Sequence, residues 1–185
     1  HLHLIKNLEG QNDKKIIYLG SSGQYGNPNI DEIKESTSMM PEDIQGIHKL
    51  TAESYFRVYS KLKGFNVLSL RFPNCFGPNQ PVAGEDIGLI GMFITDLLKK
   101  KKTLVYGKKR RRILVYVHDL VEVILRLSLI DFQGFSAYNL TGNIVFIEDL
   151  VKLLIEILGE GTYDFEEIPY ELKVIDVGRS QLSDE

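Results

Sequence analysis

Apolar and polar positions recur along the chain with two periods, and the changes of period mark the elements. Leu2, Leu4, Ile5 and Leu8 stop before Gly10, which predicts the last turns of a helix. Lys15 to Leu19 is a short β-branched run and predicts a buried parallel strand. Ile44, Ile47, Leu50, Tyr55, Val58 and Leu62 then follow a helical period that ends near Gly64. Pro41, Glu42 and Asp43 are predicted to start that helix, with acidic residues suited to its first turn. Phe65 to Leu70 reads as a strand, Ile87 to Leu98 as a helix, Thr103 to Tyr106 as a short strand. Ile113 to Val117 predicts a strand, Asp119 to Ile130 an apolar helix and Phe135 to Leu140 a strand. Phe146 to Leu158 is amphipathic, with Ile147, Leu150, Val151, Leu154, Ile155 and Leu158 facing inward and Gly159 as the stop. A last strand is predicted around Val174 to Val177. Strands that alternate with helices point to the α/β class.

Composition narrows the class without naming a function. The chain has 185 residues, enough for a real core, and a formal charge of -3, which argues against general affinity for polyanions. The single Cys75 cannot form an internal disulfide, in keeping with a cytoplasmic protein. No apolar run approaches a membrane span, and no metal-ligand spacing is present. One charged region stands out: nine of the 22 basic residues lie between Lys99 and Arg112. With no zinc spacing and no RNA-binding aromatic signature, they read as two solvated basic turns rather than a nucleic-acid site.

Gly20, Gly23 and Gly26 form a G-x-x-G-x-x-G pattern directly after a strand, the form of a dinucleotide fingerprint. A working fingerprint opens a helix whose N-terminus holds the pyrophosphate. Here Asn27, Pro28 and Asn29 follow at once and favour a turn, so the pattern reads as a decoy.

Other motifs are more specific. Ser21, Ser22, Tyr25 and Gly26 give S-S-x-x-Y-G. Gly46, Lys49 and Glu53 give G-x-x-K-x-x-x-E. Arg71, Asn74, Gly77 and Pro78 give R-x-x-N-x-x-G-P. Arg112 precedes Val117 and Asp119 of a V-x-D, and Tyr138, Asn139 and Gly142 give Y-N-x-x-G. Together these resemble the extended short-chain dehydrogenase/reductases, in particular the NAD-dependent epimerase/dehydratase family and its nucleotide-sugar 4-epimerases. The resemblance covers nearly the whole chain, which corresponds to the second half to two-thirds of a complete member.

That resemblance implies a partial Rossmann-type parallel sheet with a smaller C-terminal substrate-binding lobe. Residues 1–78 would be the later part of the NAD-binding domain with the catalytic helix, and 79–185 mainly the substrate lobe, with some strands returning to the main sheet. It implies Ser21 as the hydroxyl that hydrogen-bonds the sugar, and Lys49 as the group that binds the nicotinamide ribose and tunes the catalytic base. Pro73 would pack near the nicotinamide. Asn74, Arg112 and, near the end of the chain, Arg179 would contact the nucleotide-sugar diphosphate. Relatives follow the arginine at position 112 with aspartate; here Ile113 stands there, and Arg110 and Arg111 are possible substitutes.

Two departures matter. The position of the family's catalytic tyrosine holds Gln45, which has no proton to lose near neutral pH. The resemblance therefore implies NAD as cofactor and transient oxidation at the sugar C4, yet little or no turnover by the chain as it stands. The βαβ unit that carries the glycine fingerprint in relatives is missing, which leaves few means of gripping the NAD pyrophosphate. Dehydratases carry an Asp-Glu pair after the catalytic hydroxyl, whereas Ser22 and Gly23 stand here. This points away from a dehydratase and toward an epimerase, reductase or decarboxylase-like relative, of which a UDP-hexose 4-epimerase is the most populated choice. The alternative is a catalytically dead scaffold on the same fold, with a nucleotide-sugar, protein or RNA partner. Relatives dimerise through the helix bearing Lys49, so a homodimer is expected of the complete protein.

Overall fold

The computed structural model describes residues 2–8, 10, 14–81, 87–176 and 181–182. In chain order the elements are α1 (Leu2–Asn7), β1 (Lys15–Leu19), a 3-10 turn (Ser22–Tyr25), β2 (Glu32–Ile33), α2 (Ile44–Lys63), β3 (Asn66–Arg71), β4 (Asn74–Phe76) and α3 (Leu89–Leu98). There follow β5 (Thr103–Tyr106), β6 (Arg111–Tyr116), α4 (Val117–Leu129), β7 (Phe135–Asn139), β8 (Asn143–Phe146), α5 (Ile147–Leu158), β9 (Tyr163–Glu166), α6 (Tyr170–Val174) and β10 (Gln181–Leu182). The chain forms two compact units: 1–73 with 118–141 and 177–185, and 74–117 with 142–176. It first crosses between them at Pro73 and Asn74 and later returns to the first unit for α4 and β7.

The first unit is built on a parallel sheet of strand order β1-β3-β7. Lys15 pairs with Asn66 and Leu19 with Leu70, while Val67 pairs with Phe135 and Arg71 with Asn139. β3 is therefore central, and its Val67, Leu68, Ser69, Leu70 and Arg71 are all buried, as a strand covered on both faces requires. Ile5 of α1, Ala52 and Phe56 of α2, and Tyr18, Phe65 and Val67 close one core.

α2 begins one residue after Asp43, whose carboxylate accepts from the Gly46 N–H, so Asp43 is the N-cap and Pro41 and Glu42 precede the helix. The helix was predicted to start at Pro41. A short carboxylate competes better for the free amides just outside a helix than within it. Gly64, at φ 72°, closes the other end in the left-handed conformation. α2 does not bury the apolar stripe that sets its period. Gly46, Ala52, Glu53, Phe56 and Ser60 face the sheet, whereas Ile44, Ile47, Val58 and Leu62 are exposed.

In the second unit β6 pairs in parallel with β4 and antiparallel with β8, and β5 pairs in parallel with β9. Phe93 of α3, Val105, Leu114, and Ile147, Leu150 and Val151 of α5 form its core. β6 starts two residues before the predicted strand, and Val117 to Asp119 open α4 instead of ending a strand. The last predicted strand is also corrected: α6 runs to Val174 and Asp176 is not in a strand, while residues 177–180 lie outside the described set.

Candidate functional site

Ser21 lies just beyond the carboxyl end of β1. Its backbone is extended, at φ -156° and ψ 145°, and it caps the 3-10 turn: its Oγ accepts from the Gly23 N–H at 3.1 Å. The turn is closed by Gln24, whose Oε1 accepts from the Ser21 N–H at 2.8 Å. This is a reciprocal capping box on a single turn. The amides of Gly20 and Ser22 donate to the carbonyls of Leu70 and Phe72, which carries the β1–β3 pairing past the strand ends.

The glycine triplet is thereby used up inside the fold. A Cβ on Gly26 would lie 2.0 Å from the Met40 carbonyl oxygen, and Gly26 itself has φ 67°. A Cβ on Gly46 would lie 2.5 Å from the Gly23 carbonyl oxygen, so α2 and the Ser21 turn touch backbone to backbone. No α-helix opens at Gly20 to Gly26, and the triplet is a packing device, in line with the Asn-Pro-Asn that follows it.

Lys49 lies one helical turn beyond Gln45 on the same side of α2. Its Nζ donates to the Leu19 carbonyl at 2.8 Å and stands 5.7 Å from the centroid of the Tyr18 ring. Partial burial pushes its pKa down. The ammonium thus sits at the same strand end as Ser21. Gln45 is exposed in the first turn of α2. Ser21, Gln45 and Lys49 therefore belong to one strand end and one helix start of the first unit.

Two tyrosines of the first unit, Tyr18 of β1 and Tyr25 of the turn, are committed to other partners. Tyr18 donates to the Lys49 carbonyl at 3.1 Å, and burial, with the nearby Glu53 charge, raises its pKa to about 12. Tyr25 donates to Asn139 Oδ1 at 2.8 Å and accepts from Arg71 Nη1 at 2.6 Å. Burial raises its pKa despite that arginine. Both shifts run opposite to what a general base needs.

A buried charge network lies beneath. Glu53 is 1% exposed and receives four hydrogen bonds. Arg71 donates from Nη2 to Oε1 at 2.5 Å and from Nε to Oε2 at 3.0 Å. Ser69 and Gln24 donate to the same Oε2 at 2.6 and 2.8 Å. Burial alone would raise the Glu53 pKa, but these donors outweigh it and hold it below its ordinary value. The glutamate and arginine of the sequence motifs are partners of one another inside the first unit. Gln24 was not singled out by its sequence, because nothing local marks a glutamine as buried.

Pro73 is buried and is the last residue of the first unit. Asn74 is exposed and begins β4 in the second unit, paired with Leu114 of β6. Arg112 lies on β6 in the second unit, where it and Arg110 both donate to Asp176. Arg110 binds the carboxylate with two nitrogens, at 2.5 and 3.2 Å. Burial works against the Asp176 carboxylate, yet the two guanidinium groups hold its pKa down. Ile113 is a core residue, and the partner that orients Arg112 comes from Asp176, distant in sequence. Of the two candidate substitutes, Arg110 joins the cluster and Arg111 is exposed on its strand. Arg179 lies outside the described residues.

The basic stretch is threaded with acidic partners. Lys100 pairs with Glu160, Lys102 with Asp164, and Lys108 lies 5.6 Å from the Phe165 ring centroid. Among the described residues no helix is long and apolar enough to cross a membrane.

Known proteins resemble this arrangement over most of the chain. A putative UDP-glucose 4-epimerase of Methanocaldococcus jannaschii is 30% identical over 155 residues, 81% of this chain and 50% of that protein. The crystal structure of UDP-glucose 4-epimerase with UDP-glucose from Thermotoga maritima superposes with a TM-score of 0.83 at 27% identity, covering 99% of this chain and 59% of that one. The UDP-glucose 4-epimerase complex with NAD from Thermus thermophilus gives a TM-score of 0.80 at 26% identity, covering 99% and 60%. The chain spans about half the length of the curated relatives it matches. With a Rossmann-type parallel sheet whose strand end gathers Ser21 and Lys49, and with residues 1–140 matching the family profile, the chain belongs to the NAD dependent epimerase/dehydratase family.

Proposed function

We propose that this chain is the catalytic and substrate-binding portion of a UDP-hexose 4-epimerase-like protein, carried in a form with little or no turnover. The observation that supports the reading is that Lys49 and Ser21 lie at the carboxyl end of β1, with position 45 one helical turn before Lys49, at the end of a parallel sheet where ligands bind. Ser21 is assigned the sugar hydroxyl, and Asn74 and Arg112 the diphosphate, with Arg179 as a further phosphate contact. A guanidinium fork suits a diphosphate because it donates two hydrogen bonds at once.

NAD is the family's hydride acceptor. The residues present fit its nicotinamide-ribose side, with the Lys49 ammonium and the Ser21 hydroxyl at one strand end and Pro73 following the neighbouring strand. They do not fit its pyrophosphate at the glycine triplet, which is packed shut by Met40 and Gly46. Taking a proton from a sugar hydroxyl needs a group that ionises near neutrality. An amide at position 45 does not, and Tyr18 and Tyr25 are committed elsewhere.

The second reading is a catalytically dead scaffold, favoured by Gln45 itself. The exposed stripe Ile44, Ile47, Val58 and Leu62 on α2 supports a homodimer seam under either reading. The pairing of Lys100 and Lys102 with acidic residues speaks against a nucleic-acid partner.

Calorimetric titration of the chain with UDP, UDP-glucose and NAD in separate runs tests the proposal. It expects UDP and UDP-glucose to bind, Arg112→Ala to abolish both, and NAD to bind weakly or not at all. Absence of all three would move the scaffold reading ahead. Gln45→Tyr adds a second test on the same chain. The introduced phenol should titrate below its ordinary value, about 10, because the Lys49 ammonium favours the phenolate. An ordinary titration would show that position 45 is not placed for catalysis.

A further inference from the structure

We infer that Gln24 is a positioning residue, which sets the Ser21 hydroxyl against the helix that carries Lys49. The inference rests on the reading of Ser21 as the sugar-binding hydroxyl. Gln24 is fully buried, yet it is not merely satisfied by nearby backbone. Its amide oxygen holds the Ser21 N–H at 2.8 Å, and its amide nitrogen holds Glu53 Oε2 at 2.8 Å. A longer contact to Met39 Sδ, at 3.8 Å, completes its surroundings.

One side chain thus spans two elements. Glu53 lies one turn after Lys49 on α2 and is itself locked to β3 by Arg71 and Ser69. The Ser21 amide is tied to α2 through this one side chain. Around it lie the backbone pairings of Gly20 and Ser22 and the Gly23–Gly46 contact. At neutral pH an amide suits the position better than a carboxylate or an apolar side chain. It must accept at one end and donate at the other, and the atom that receives its proton is an anionic oxygen. A carboxylate would oppose Glu53, and an apolar side chain would leave both the Ser21 N–H and one Glu53 bond unmade.

The test compares the unmodified chain with Gln24→Met and Gln24→Glu by residue-resolved amide hydrogen exchange and by titration with UDP and UDP-glucose. In Gln24→Met the amides of Ser21 to Gly23 should exchange faster while those of α2 keep their protection. UDP-glucose affinity should fall about tenfold, the loss of one well-aligned hydrogen bond, with UDP affinity changed less than about twofold. Unchanged exchange at Ser21, or an equal loss for UDP and UDP-glucose, overturns the inference. If neither nucleotide binds the unmodified chain, the functional reading fails, and the exchange pattern still decides whether Gln24 holds the turn.

Gln24→Glu guards against simple unfolding. A protonated carboxyl accepts and donates as the amide does, so near pH 5 this variant should behave like the unmodified chain. As pH rises toward 8 its ionised form meets the Glu53 carboxylate and should behave like Gln24→Met. The charges around it are Glu53 and Lys49 on α2, Arg71 on β3, Asp43 at the α2 cap, Glu35 beyond β2, and the phenols Tyr18 and Tyr25. A global loss of protection in Gln24→Met with no pH dependence in Gln24→Glu would mean that position 24 serves only the core.

Discussion

Each unit contains a buried carboxylate held by arginine, and the two are built for different work. In the first unit Glu53 meets one guanidinium, and of its four hydrogen bonds three go to Oε2 and one to Oε1. The side chains of Arg71 and Glu53 are 4% and 1% exposed, so the pair is closed to any ligand. In the second unit Asp176 meets two guanidinium groups, those of Arg110 and Arg112, with 18% and 12% of their side chains exposed. The first cluster sets one carboxylate against one guanidinium, and the second sets one carboxylate against two, nearer to solvent. A pair closed to solvent can only hold elements together. A cluster of two guanidinium groups near solvent can also receive an anion.

The strongest way to break this contrast is Glu53→Gln. It strands the buried Arg71 charge and should cost about 3–5 kcal/mol in denaturant unfolding. A loss below about 1 kcal/mol would mean that water reaches Arg71. Next comes Gly46→Ala, whose methyl group has no room beside the Gly23 carbonyl. It should cost about 1–3 kcal/mol and displace the Ser21 turn, read as a chemical-shift change centred on Ser21 to Tyr25. Asp176→Asn should cost less, about 1 kcal/mol, because water can reach Arg110 and Arg112. It should tighten UDP binding at low salt and steepen the salt dependence. Weaker UDP binding would show that Asp176 orients the guanidinium groups more than it neutralises them.

The smallest effect concerns acid. The Glu53 pKa is held below its ordinary 4.5, so its contribution is fully present above that pH and is lost as pH falls through the depressed folded value. Asp176, held below its ordinary 3.8, acts the same way at a lower onset. Glu53→Gln should therefore flatten the acid limb of stability below about pH 4.5 more than Asp176→Asn does. Equal limbs would remove the distinction between a closed and an open cluster. At the alkaline end Tyr18, raised to about 12, withdraws its contribution between about pH 10 and 12.

Much of the fold was legible because periodicity reports elements directly. β1, β3, β5, α3 and α5 lie where their apolar patterns placed them. β9 and β8 were missed, the former although Tyr163-Asp-Phe-Glu166 alternates strictly, and β4 was missed because it is only 3 residues long. α2 teaches the most. Its apolar period identified a helix correctly, but the buried face is the one with Gly46, Ala52, Glu53, Phe56 and Ser60. Of these, Gly46 is buried for close approach, Glu53 for charge pairing and Ser60 with a hydrogen bond to the Phe65 carbonyl, none of which leaves a hydrophobic signature; only Ala52 and Phe56 serve the apolar core.

By itself the sequence determined the family and the α/β class, since these rest on residue identity and spacing. It also determined that the glycine triplet is no fingerprint, because Asn-Pro-Asn favours a turn where a helix would have to run. Only the tertiary structure decided which partners the charged residues take. Glu53 found Arg71, Arg112 found Asp176, and Gln24 joined Ser21 to Glu53. A charge is buried at a cost that only a specific oppositely charged or hydrogen-bonding neighbour offsets, and that neighbour is chosen by where the strands and helices bring the chain together.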